Sequence, residues 1–316
     1  MSGSVRPERP LLQIRLGGAL ATAANRQRVR KAVVLAAGHG TRLLPATKAQ
    51  PKEALPLVDK PIIQYTVEEA AASGLRQVII VTASGKRAVE DHFDRSLELE
   101  QALREKGDLE RLEEIRRISD LADIVYVRQK EQLGVGHAVL TVRDVVGQEP
   151  FVLFFPDDVI IADVPVARQM LDVFEEYGAP ILAVERVSPA DIESYGIVDP
   201  EPVRDRVVRV RGLVEKPKLE EAPSDLGIVG RYVLTPDIFA ALARTKPGKG
   251  REIQLTDGLA LLLAEQPVYA YLFEGRRYDT GRPLGLLQAS VELALRRPDI
   301  GPDFRRYLRS LDLHAD

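Results

Sequence analysis

The feature of this sequence that most limits its fold is the alternation of short apolar runs with helix-like segments from Lys31 onward. The candidate strands are "AVVLAA", "QVIIVTA", "IVYVRQ" and "PFVLFFPDD", and segments with helical periodicity such as "PIIQYTVEEAAASG" and "GVGHAVLTVRDVV" lie between them. Several strands are apolar on both faces, which is typical of a parallel sheet covered by helices on both sides. We therefore expect an α/β protein with an open, doubly wound, mainly parallel sheet.

The later part of the chain predicts hairpins and then helices. The segments "YGIVDPEPVRDRVVRVRGLVEKPK" and "LGIVGRYVLTP" indicate a β-hairpin region laid against the sheet, and the last third is mostly helical. No repeat or linker divides the chain. We expect one compact domain over residues 31–297, a mobile N-terminal tail over 1–30 and a C-terminal helical tail over 298–316. The charged stretch "SLELEQALREKGDLERLEEIRRISD" predicts a solvated helical pair.

Composition excludes several classes of function. The 316 residues carry a net charge of −3, which gives no overall basic field for nucleic acid or an anionic membrane. The chain contains no cysteine, so disulfides, thiolate metal sites and cysteine nucleophiles are excluded. No run approaches the ~18 apolar residues of a membrane span. Glu8 and Arg15 interrupt any signal-peptide pattern, and we expect a cytoplasmic protein.

The stretch "VVLAAGHGTRLLPATKAQPKEALPL" at positions 33–57 predicts an anion-binding loop after the first strand. Gly38 and Gly40 allow a sharp turn with close backbone approach, while Arg42 and Lys52 supply positive charge. The third glycine of a dinucleotide fingerprint would fall at Leu43, and no Walker phosphate loop is present. The alternative is a plain tight turn with solvated basic side chains.

This segment also resembles the signature of the sugar-1-phosphate nucleotidylyltransferases, and in particular of the bacterial UTP–glucose-1-phosphate uridylyltransferases. The resemblance recurs in order over about positions 31–297, in "VRQ", "LGVGHAV", "FPDD", "YGIVD", "LVEKPK", "IVGRYVLTPDIF", "EIQLTD" and "YDTGRPLG". It implies a Rossmann-like nucleotidyltransferase fold, a homodimer or homotetramer, and transfer of a uridylyl group from UTP to glucose 1-phosphate. The products would be UDP-glucose and pyrophosphate.

The implied reaction is an electrostatic problem, because an ionised sugar phosphate attacks the α-phosphorus of a nucleoside triphosphate without a protein nucleophile or general base. Two unit charges ~4 Å apart repel by roughly 4 kcal/mol at an effective dielectric constant of 20. Fixed cations and a metal ion are therefore needed to bring the two anions together. The resemblance assigns the catalytic cations to Arg42, Lys52 and Lys216.

Strand-end carboxylates are the candidate ligands of Mg²⁺, which prefers oxygen donors. Asp157 ends an apolar strand at the predicted carboxyl edge of the sheet, and the resemblance adds Asp279 of "YDTG". Asp158 is an alternative ligand or a supporting partner. Each aspartate taken alone would more commonly cap a turn or a helix.

The resemblance also implies binding residues for the base and the sugar. The nucleotide would contact Gln129, Gly134 and the loop residues Ala36, Ala37, Gly38 and Gly40, and the sugar would contact Gly196, Glu215 and Gly230. Glu215 and Lys216 are successive residues of a predicted strand, so their side chains should point to opposite faces unless a bulge intervenes. Without the resemblance, Gln129 is a surface glutamine, the glycines are turn residues and Glu215 with Lys216 is a surface ion pair.

Three alternatives remain open from the sequence. The opening "LAAG" replaces the more usual "PVAG", which leaves dTTP as a possible nucleotide in place of UTP. The same chemistry with another sugar 1-phosphate belongs to this first alternative. His39 stands where many uridylyltransferases carry an apolar residue and could contact a ligand or solvent. A non-catalytic homologue that binds nucleotide sugars is the third, although the full set of charged residues argues against it.

Overall fold

The computed structural model describes residues 28–248 and 251–312. The expected mobile tail over 1–30 falls almost entirely on residues 1–27, outside the described residues, as do residues 313–316 of the predicted C-terminal tail. The strands, in chain order, are β1 Lys31–Leu35, β2 Pro56–Leu57, β3 Lys60–Pro61, β4 Gln77–Thr82, β5 Asp123–Arg128, β6 Phe151–Phe154, β7 Asp158–Ile161, β8 Ile181–Arg186, β9 Gly196–Arg204, β10 Val207–Glu215, β11 Leu226–Leu234, β12 Tyr269–Leu272 and β13 Arg276–Asp279.

The α-helices lie between and after these strands. They are α1 Ile62–Ala72, α2 Arg87–Phe93, α3 Leu97–Lys106, α4 Leu109–Ser119, α5 Val135–Leu140, α6 Arg143–Val146, α7 Val166–Tyr177, α8 Asp237–Arg244, α9 Leu255–Leu263, α10 Pro283–Arg296 and α11 Gly301–Ser310. The predicted charged helical pair is confirmed as α3 and α4. The single helix expected over "GVGHAVLTVRDVV" is wrong, because the chain turns at Thr141 and Val142 and forms two short helices. None of the helices in residues 28–248 and 251–312 is long and apolar enough to span a bilayer.

One large mixed sheet organises the domain, with strand order β5-β4-β1-β6-β11-β8-β12-β10-β9. The strands β5, β4, β1 and β6 run parallel, as do β8 and β12. Strand β11 lies antiparallel between β6 and β8, and the β9–β10 hairpin extends the far edge. The expected open sheet with a hairpin region is confirmed, and its antiparallel share is larger than the sequence pattern indicated.

Helices cover both faces of the sheet, which explains why the central strands are apolar on both sides. Val33 of β1 faces a core formed with α5, α8 and α9, whereas the next residue, Val34, faces a second core formed with α1 and α7. This alternation is the two-residue period of a strand. The parallel arrangement places the loops after β1, β4, β5 and β6 at one edge of the sheet.

A smaller apolar cluster attaches α10 to this edge. It joins Leu43 and Leu57, which follow the glycine-rich loop in the chain, to Val159 of β7, Tyr278 of β13 and Ala289 of α10. Strands β7 and β13 pair antiparallel, with Asp279 opposite Asp158. The packing therefore brings the segment around Asp279 beside the end of β6.

Candidate active site

A cleft of about 860 Å³ follows the carboxyl edge of the parallel strands and continues toward the β9–β10 hairpin. Almost every residue that the sequence singled out lines it, namely Ala37, Gly38, Gly40, Arg42, Lys52, Gln129, Gly134, Asp157, Gly196, Glu215, Lys216, Gly230 and Asp279, with Asp158 and His39. Ala36 is the exception. It is completely buried, and its N–H donates to the carbonyl oxygen of Val81, so this amide is committed to the sheet.

Two glycines shape the glycine-rich loop. Gly40 has a left-handed backbone conformation, and Gly38 has free space beside its Cα. Gly40 has a φ of +69°, and a Cβ there would lie 3.2 Å from both Lys52 Cβ and Thr47 Cγ2. Thr47 Oγ1 donates to the Gly40 carbonyl oxygen at 2.8 Å and fixes the turn. A Cβ on Gly38 would meet no atom within 4 Å, so the backbone here is open to a ligand.

Two cations and two carboxylates meet at the centre of the cleft. Lys52 Nζ lies 2.5 Å from Asp157 Oδ2, and Arg42 reaches Asp157 Oδ2 at 3.5 Å and Asp279 Oδ2 at 3.7 Å. Both carboxylates also converge on Gly281, since a Cβ there would lie 2.7 Å from Asp157 Oδ2 and 3.0 Å from Asp279 Oδ1. A side chain at 281 would displace these charged groups, and the sequence reasoning missed this glycine.

The charges in this group change one another's pKa values. Burial raises the pKa of Asp157, but the charge and hydrogen bond of Lys52 outweigh it, so the carboxyl pKa lies below its usual value. Burial lowers the pKa of Lys52, and Asp157 together with Glu53 more than reverses this, so the ammonium pKa is raised. The pKa of Asp279 is raised, first by burial and then by the nearby charge of Asp158.

The donor set fits a hard divalent cation that shares its coordination with a substrate. Among the described residues, no group of three or more His, Cys, Asp or Glu side chains could enclose a metal ion. Asp157 and Asp279 supply two oxygen-bearing side chains near each other, which matches the pattern in which Mg²⁺ takes one or two carboxylates plus substrate phosphates.

Asp158 belongs to the supporting structure of the site. Its Oδ2 accepts a hydrogen bond from the Gly230 N–H at 2.7 Å, and its Oδ1 accepts one from Arg277 Nη1. A Cβ on Gly230 would lie 2.5 Å from Phe155 Cβ and 2.6 Å from Asp158 Oδ2. The glycine at 230 is thus required by packing against these two residues, whatever it contributes to a sugar pocket.

Arg277 is a second residue that the sequence reasoning missed. The side chain is 8% exposed and donates to Asp158, to Glu185 Oε1 and to the hydroxyl of Tyr195. Burial lowers the pKa of Arg277, but Asp158 and Glu185 outweigh it, so the pKa is raised and the guanidinium stays charged. Arg277 therefore links the carboxylates of the cleft to Tyr195, directly before β9.

The end of the cleft that follows β5 is built around two glutamine amides, one buried and one half-buried. Gln129 is 5% exposed, and its Nε2 donates to the Gly134 carbonyl oxygen at 3.3 Å and lies 3.0 Å from His137 Nδ1. Gln132, which the sequence did not single out, donates to the Ala37 carbonyl oxygen at 2.7 Å. Gly134 has a φ of +98°, and a Cβ there would lie 2.7 Å from the Ile253 carbonyl oxygen, so no side chain fits.

The opposite end of the cleft holds Glu215 and Lys216 together. The expectation that they point to opposite faces is wrong, because β10 ends at Glu215 and Lys216 turns into a left-handed conformation with φ 46°. The Lys216 N–H donates to the Tyr195 carbonyl oxygen at 3.0 Å, and Lys216 Nζ lies 3.5 Å from Glu215 Oε1. Thr256 Oγ1 donates to Glu215 Oε2 at 2.7 Å. Both charged side chains therefore line the cleft.

Comparison with known proteins places this geometry in a family. The family model described as "Nucleotidyl transferase" matches residues 31–295. The chain belongs to this nucleotidyl transferase family. Its members generally use a divalent metal ion, in agreement with the two carboxylates of the cleft. The predicted Rossmann-like nucleotidyltransferase fold is thereby confirmed.

Individual relatives of this nucleotidyl transferase are similar over nearly their whole length. The UTP–glucose-1-phosphate uridylyltransferase YngB of Bacillus subtilis strain 168 is 51% identical over 286 residues, which cover 90% of this chain and 96% of the relative. The UTP–glucose-1-phosphate uridylyltransferase of Staphylococcus epidermidis ATCC 35984 is 48% identical over 287 residues, covering 91% and 100%. The predicted resemblance to the uridylyltransferases is confirmed.

Solved structures agree with these sequence relationships. The UTP-bound enzyme of Acinetobacter baumannii has a TM-score of 0.84 and 38% identity, with 90% of this chain and 99% of that chain covered. A UDP-glucose pyrophosphorylase complexed with UDP-glucose has a TM-score of 0.78 and 43% identity, with 85% and 100% covered. This nucleotidyl transferase is thus similar to structures solved with each of two uridine nucleotides.

Proposed function

We propose that this protein transfers the uridylyl group of UTP to glucose 1-phosphate, giving UDP-glucose and pyrophosphate. The observation that carries the proposal is the convergence of Lys52, Arg42, Asp157 and Asp279 midway along one cleft. The amide end of the cleft suits a pyrimidine base, and the Glu215 end suits a hydroxylated sugar. The relatives and solved structures named above support UTP and UDP-glucose as the nucleotides.

The cations of the cleft do the work that this reaction needs. The sugar phosphate is already ionised, so it attacks the α-phosphorus directly, and the α–β bridging bond breaks to release pyrophosphate. Lys52 and Arg42 neutralise charge at the nucleotide phosphates, and Lys216 receives the phosphate of the sugar. Because these groups are already held by carboxylates, little reorganisation is needed when the substrates bind.

Asp157 and Asp279 would hold Mg²⁺. When bound, the ion supplies positive charge that draws the two anionic substrates together and stabilises the leaving pyrophosphate. Lys52 and Arg42 already lie against Asp157 and lower its pKa, and Arg42 also contacts Asp279. Gly281 adds no side chain of its own beside the two aspartates and Arg42.

Gln129 would select the base through its oxygen. Its nitrogen is engaged with Gly134 and His137, which leaves the Oε1 acceptor for a ligand. Uracil carries a hydrogen on N3 that can donate to this oxygen, whereas N3 of cytosine is itself an acceptor. Thymine carries the same N3 hydrogen, so this contact does not separate UTP from dTTP. Gly134 and the backbone of Ala37, Gly38 and Gly40 would seat the rest of the nucleotide.

The sugar would lie against Glu215, whose carboxylate accepts hydrogen bonds from sugar hydroxyls. Thr256 fixes one oxygen of Glu215 at 2.7 Å, which leaves the other oriented for a ligand. Gly196 keeps this end open, since a Cβ there would lie 3.2 Å from Glu215 Oε2. Gly230 lines the cleft between the sugar end and the carboxylates.

The proposal extends to the organisation of the protein. We take residues 31–297 as the catalytic domain and a cytoplasmic homodimer or homotetramer as the working form. Two exposed leucines on α10, Leu284 at 67% and Leu287 at 64% exposure, support self-association through that helix. Sedimentation equilibrium would test it, because a monomer at micromolar concentration contradicts this part of the proposal.

A substrate panel tests the proposed reaction. Pyrophosphate release should be measured with UTP, dTTP, CTP and ATP against glucose 1-phosphate, galactose 1-phosphate and mannose 1-phosphate in the presence of Mg²⁺. We expect the highest kcat/KM for UTP with glucose 1-phosphate. A clear preference for dTTP would replace the uridylyl reaction by the thymidylyl one, and nucleotide-sugar binding without any turnover would indicate a non-catalytic homologue.

A further inference from the structure

A charged residue lies completely inside the sheet behind the carboxylates of the cleft. Arg231 is in the middle of β11, and its side chain is 1% exposed. Its guanidinium lies over the ring of Phe154, with 4.9 Å between Arg231 Cζ and the ring centroid. Burial of a charge costs free energy, and replacing a buried ion pair by apolar side chains is often neutral or stabilising. Core packing alone therefore does not explain an arginine here.

The hydrogen bonds of Arg231 enclose the segment that carries Asp157. Nη1 donates to the Phe155 carbonyl oxygen at 3.0 Å and to the Gly230 carbonyl oxygen at 2.9 Å. Nη2 donates to the Asp158 carbonyl oxygen at 2.9 Å. One planar group thus holds the backbone on both sides of Asp157.

The carbonyl oxygen of Asp157 itself is held by a different residue. Thr280, which is fully buried, donates to it from both its N–H and its Oγ1 at 2.8 Å each. Thr280 directly follows Asp279, so this contact ties the two carboxylate-bearing segments together. With Arg231, it leaves the carbonyls of residues 155, 157 and 158 all bound.

Glu69 fixes the orientation of the guanidinium. Arg231 Nη2 donates to Glu69 Oε2 at 2.7 Å and Nε donates to the same oxygen at 3.1 Å. Glu69 Oε1 also accepts the Ala167 N–H, at the start of α7, at 3.1 Å. The pair therefore anchors the Asp157 segment to α1 and α7, which pack on the face of the sheet away from α5 and α9.

We propose that Arg231, oriented by Glu69, is a positioning residue that holds the Asp157 carboxylate in place for a divalent cation and the substrate phosphates. The inference rests on the proposed function. A lysine could not substitute, because its donors all radiate from one nitrogen and cannot reach the carbonyls of Phe155 and Asp158 and the Glu69 carboxylate in a fixed fork. Arg231 acts through the backbone and does not line the cleft.

The test compares Arg231→Lys with Arg186→Lys, which makes the same change in the exposed Arg186–Asp225 pair. Mn²⁺ binding in the presence of UTP is followed as the loss of the free-ion EPR signal beyond the loss that the same UTP concentration causes without protein, and kcat and KM are measured in parallel. Loss of a residue that supports a metal ligand commonly costs 10- to 100-fold in metal affinity or activity. We expect Arg231→Lys to raise the Mn²⁺ dissociation constant and lower kcat by about that factor, with KM for UTP changed much less, and Arg186→Lys to match the wild type.

Glu69→Gln provides a second variant if Arg231→Lys does not fold. It keeps the guanidinium and its carbonyl contacts but removes the opposite charge. The Mn²⁺ dissociation constant should therefore rise and kcat should fall, each by a smaller factor than in Arg231→Lys. A residue that merely stabilised the core would lower the melting temperature and leave the Mn²⁺ dissociation constant of the folded protein unchanged.

The results separate this inference from the proposed function. If the wild type turns over UTP and glucose 1-phosphate while the folded variants bind Mn²⁺ and react as the wild type does, the role of Arg231 is refuted and the reaction stands. If the wild type binds Mn²⁺ with UTP but gives no turnover, the proposed reaction fails, and the binding constants alone decide the role of Arg231. A wild type that binds no Mn²⁺ contradicts the inference, and its turnover still decides the reaction.

Discussion

Lys52 Nζ and Asp157 Oδ2 lie 2.5 Å apart, although 105 residues separate them in the chain. The pair joins the glycine-rich loop after β1 to the segment after β6. Strands β1 and β6 are neighbours in the parallel part of the sheet. It keeps a carboxylate ionised beside an ammonium group at the point where two anionic substrates would have to meet. This contact links the fold to the proposed chemistry.

Replacing Asp157 by asparagine should abolish most of the activity while the fold persists. The amide keeps the shape of the side chain but removes the charge that holds Lys52 and would bind the cation. We expect kcat to fall by about 100-fold or more, as for the loss of a preorganised electrostatic group. Asp163→Asn, at an exposed position just beyond β7, is the matched control. Wild-type kcat in the Asp157 variant with a normal circular dichroism spectrum would remove Asp157 from the mechanism.

The buried pair of Lys86 and Glu53 should control the stability of the Lys52 segment. The two side chains are 7% and 0% exposed, and Lys86 Nζ lies 2.7 Å from Glu53 Oε2. Lys86→Met leaves Glu53 without its counter-charge, which should cost about 3 to 5 kcal/mol in the free energy of unfolding at pH 7. Adding Glu53→Gln should restore most of this loss. The control, Lys60→Met in the half-exposed Lys60–Glu68 pair, should cost less than about 1 kcal/mol.

The Lys86–Glu53 pair should make the free energy of unfolding depend on pH, and the burial of Glu53 fixes the sign of that dependence. Burial raises the pKa of Glu53, and Lys86 lowers it only in part, so the folded protein binds this proton more tightly than the unfolded chain does. The stabilisation from protonation is complete below the unfolded pKa of ~4.3 and is lost as pH rises through the folded value. The loss of unfolding free energy in Lys86→Met should therefore become smaller as the pH is lowered from 7 to 5, as measured by urea titration. A deficit that grows toward pH 5 would contradict a buried, ionised Glu53.

Gln129→Ala should relax the choice between UTP and CTP. Removing the Oε1 acceptor deletes the hydrogen bond that N3–H of uracil donates. It also removes the oxygen that would face the N3 acceptor of cytosine without a hydrogen between them. We expect the ratio of kcat/KM values for the two nucleotides to fall about tenfold. Gln148→Ala, an exposed change on the same residue type, should leave the ratio unchanged. Equal discrimination in the Gln129 variant and the wild type would mean that the base is read elsewhere.

Thr256→Val should weaken binding of the sugar phosphate more than it slows chemistry. The valine removes the hydroxyl that holds Glu215 Oε2, so the carboxylate gains freedom while the shape of the side chain is nearly kept. We expect KM for glucose 1-phosphate to rise about fivefold with kcat changed less than about twofold. The control is Thr235→Val, where the hydroxyl donates to Asp237 outside the cleft. An unchanged KM would indicate that Glu215 does not need this support.

Much of the fold and the centre of the site could be predicted because their signals are local. The strands β1, β4, β5 and β6 are short apolar runs whose loops lie at one sheet edge, and this places Gly38, Arg42 and Asp157 together without knowledge of any other contact. The antiparallel position of β11 between β6 and β8 could not be predicted in this way, since "LGIVGRYVL" carries no mark of which strands it joins.

The missed residues depend on contacts between distant parts of the chain. Arg276 and Arg277 are adjacent on β13, and only the register against β7 turns Arg277 inward to Asp158 while Arg276 pairs with Glu292 at the surface. A side chain at Gly281 would displace three charged side chains from separate segments that crowd its Cβ position. Arg231 lies in an apolar strand, where composition predicts an outward-facing charge.

The most direct test of the account is ³¹P NMR of the purified protein with UTP, glucose 1-phosphate and Mg²⁺. We predict that the glucose 1-phosphate and UTP signals decline together, while the two phosphorus signals of UDP-glucose and the single signal of pyrophosphate rise in equal molar amounts. Hydrolysis of UTP with an unchanged glucose 1-phosphate signal, or no change in any signal over hours, would contradict it.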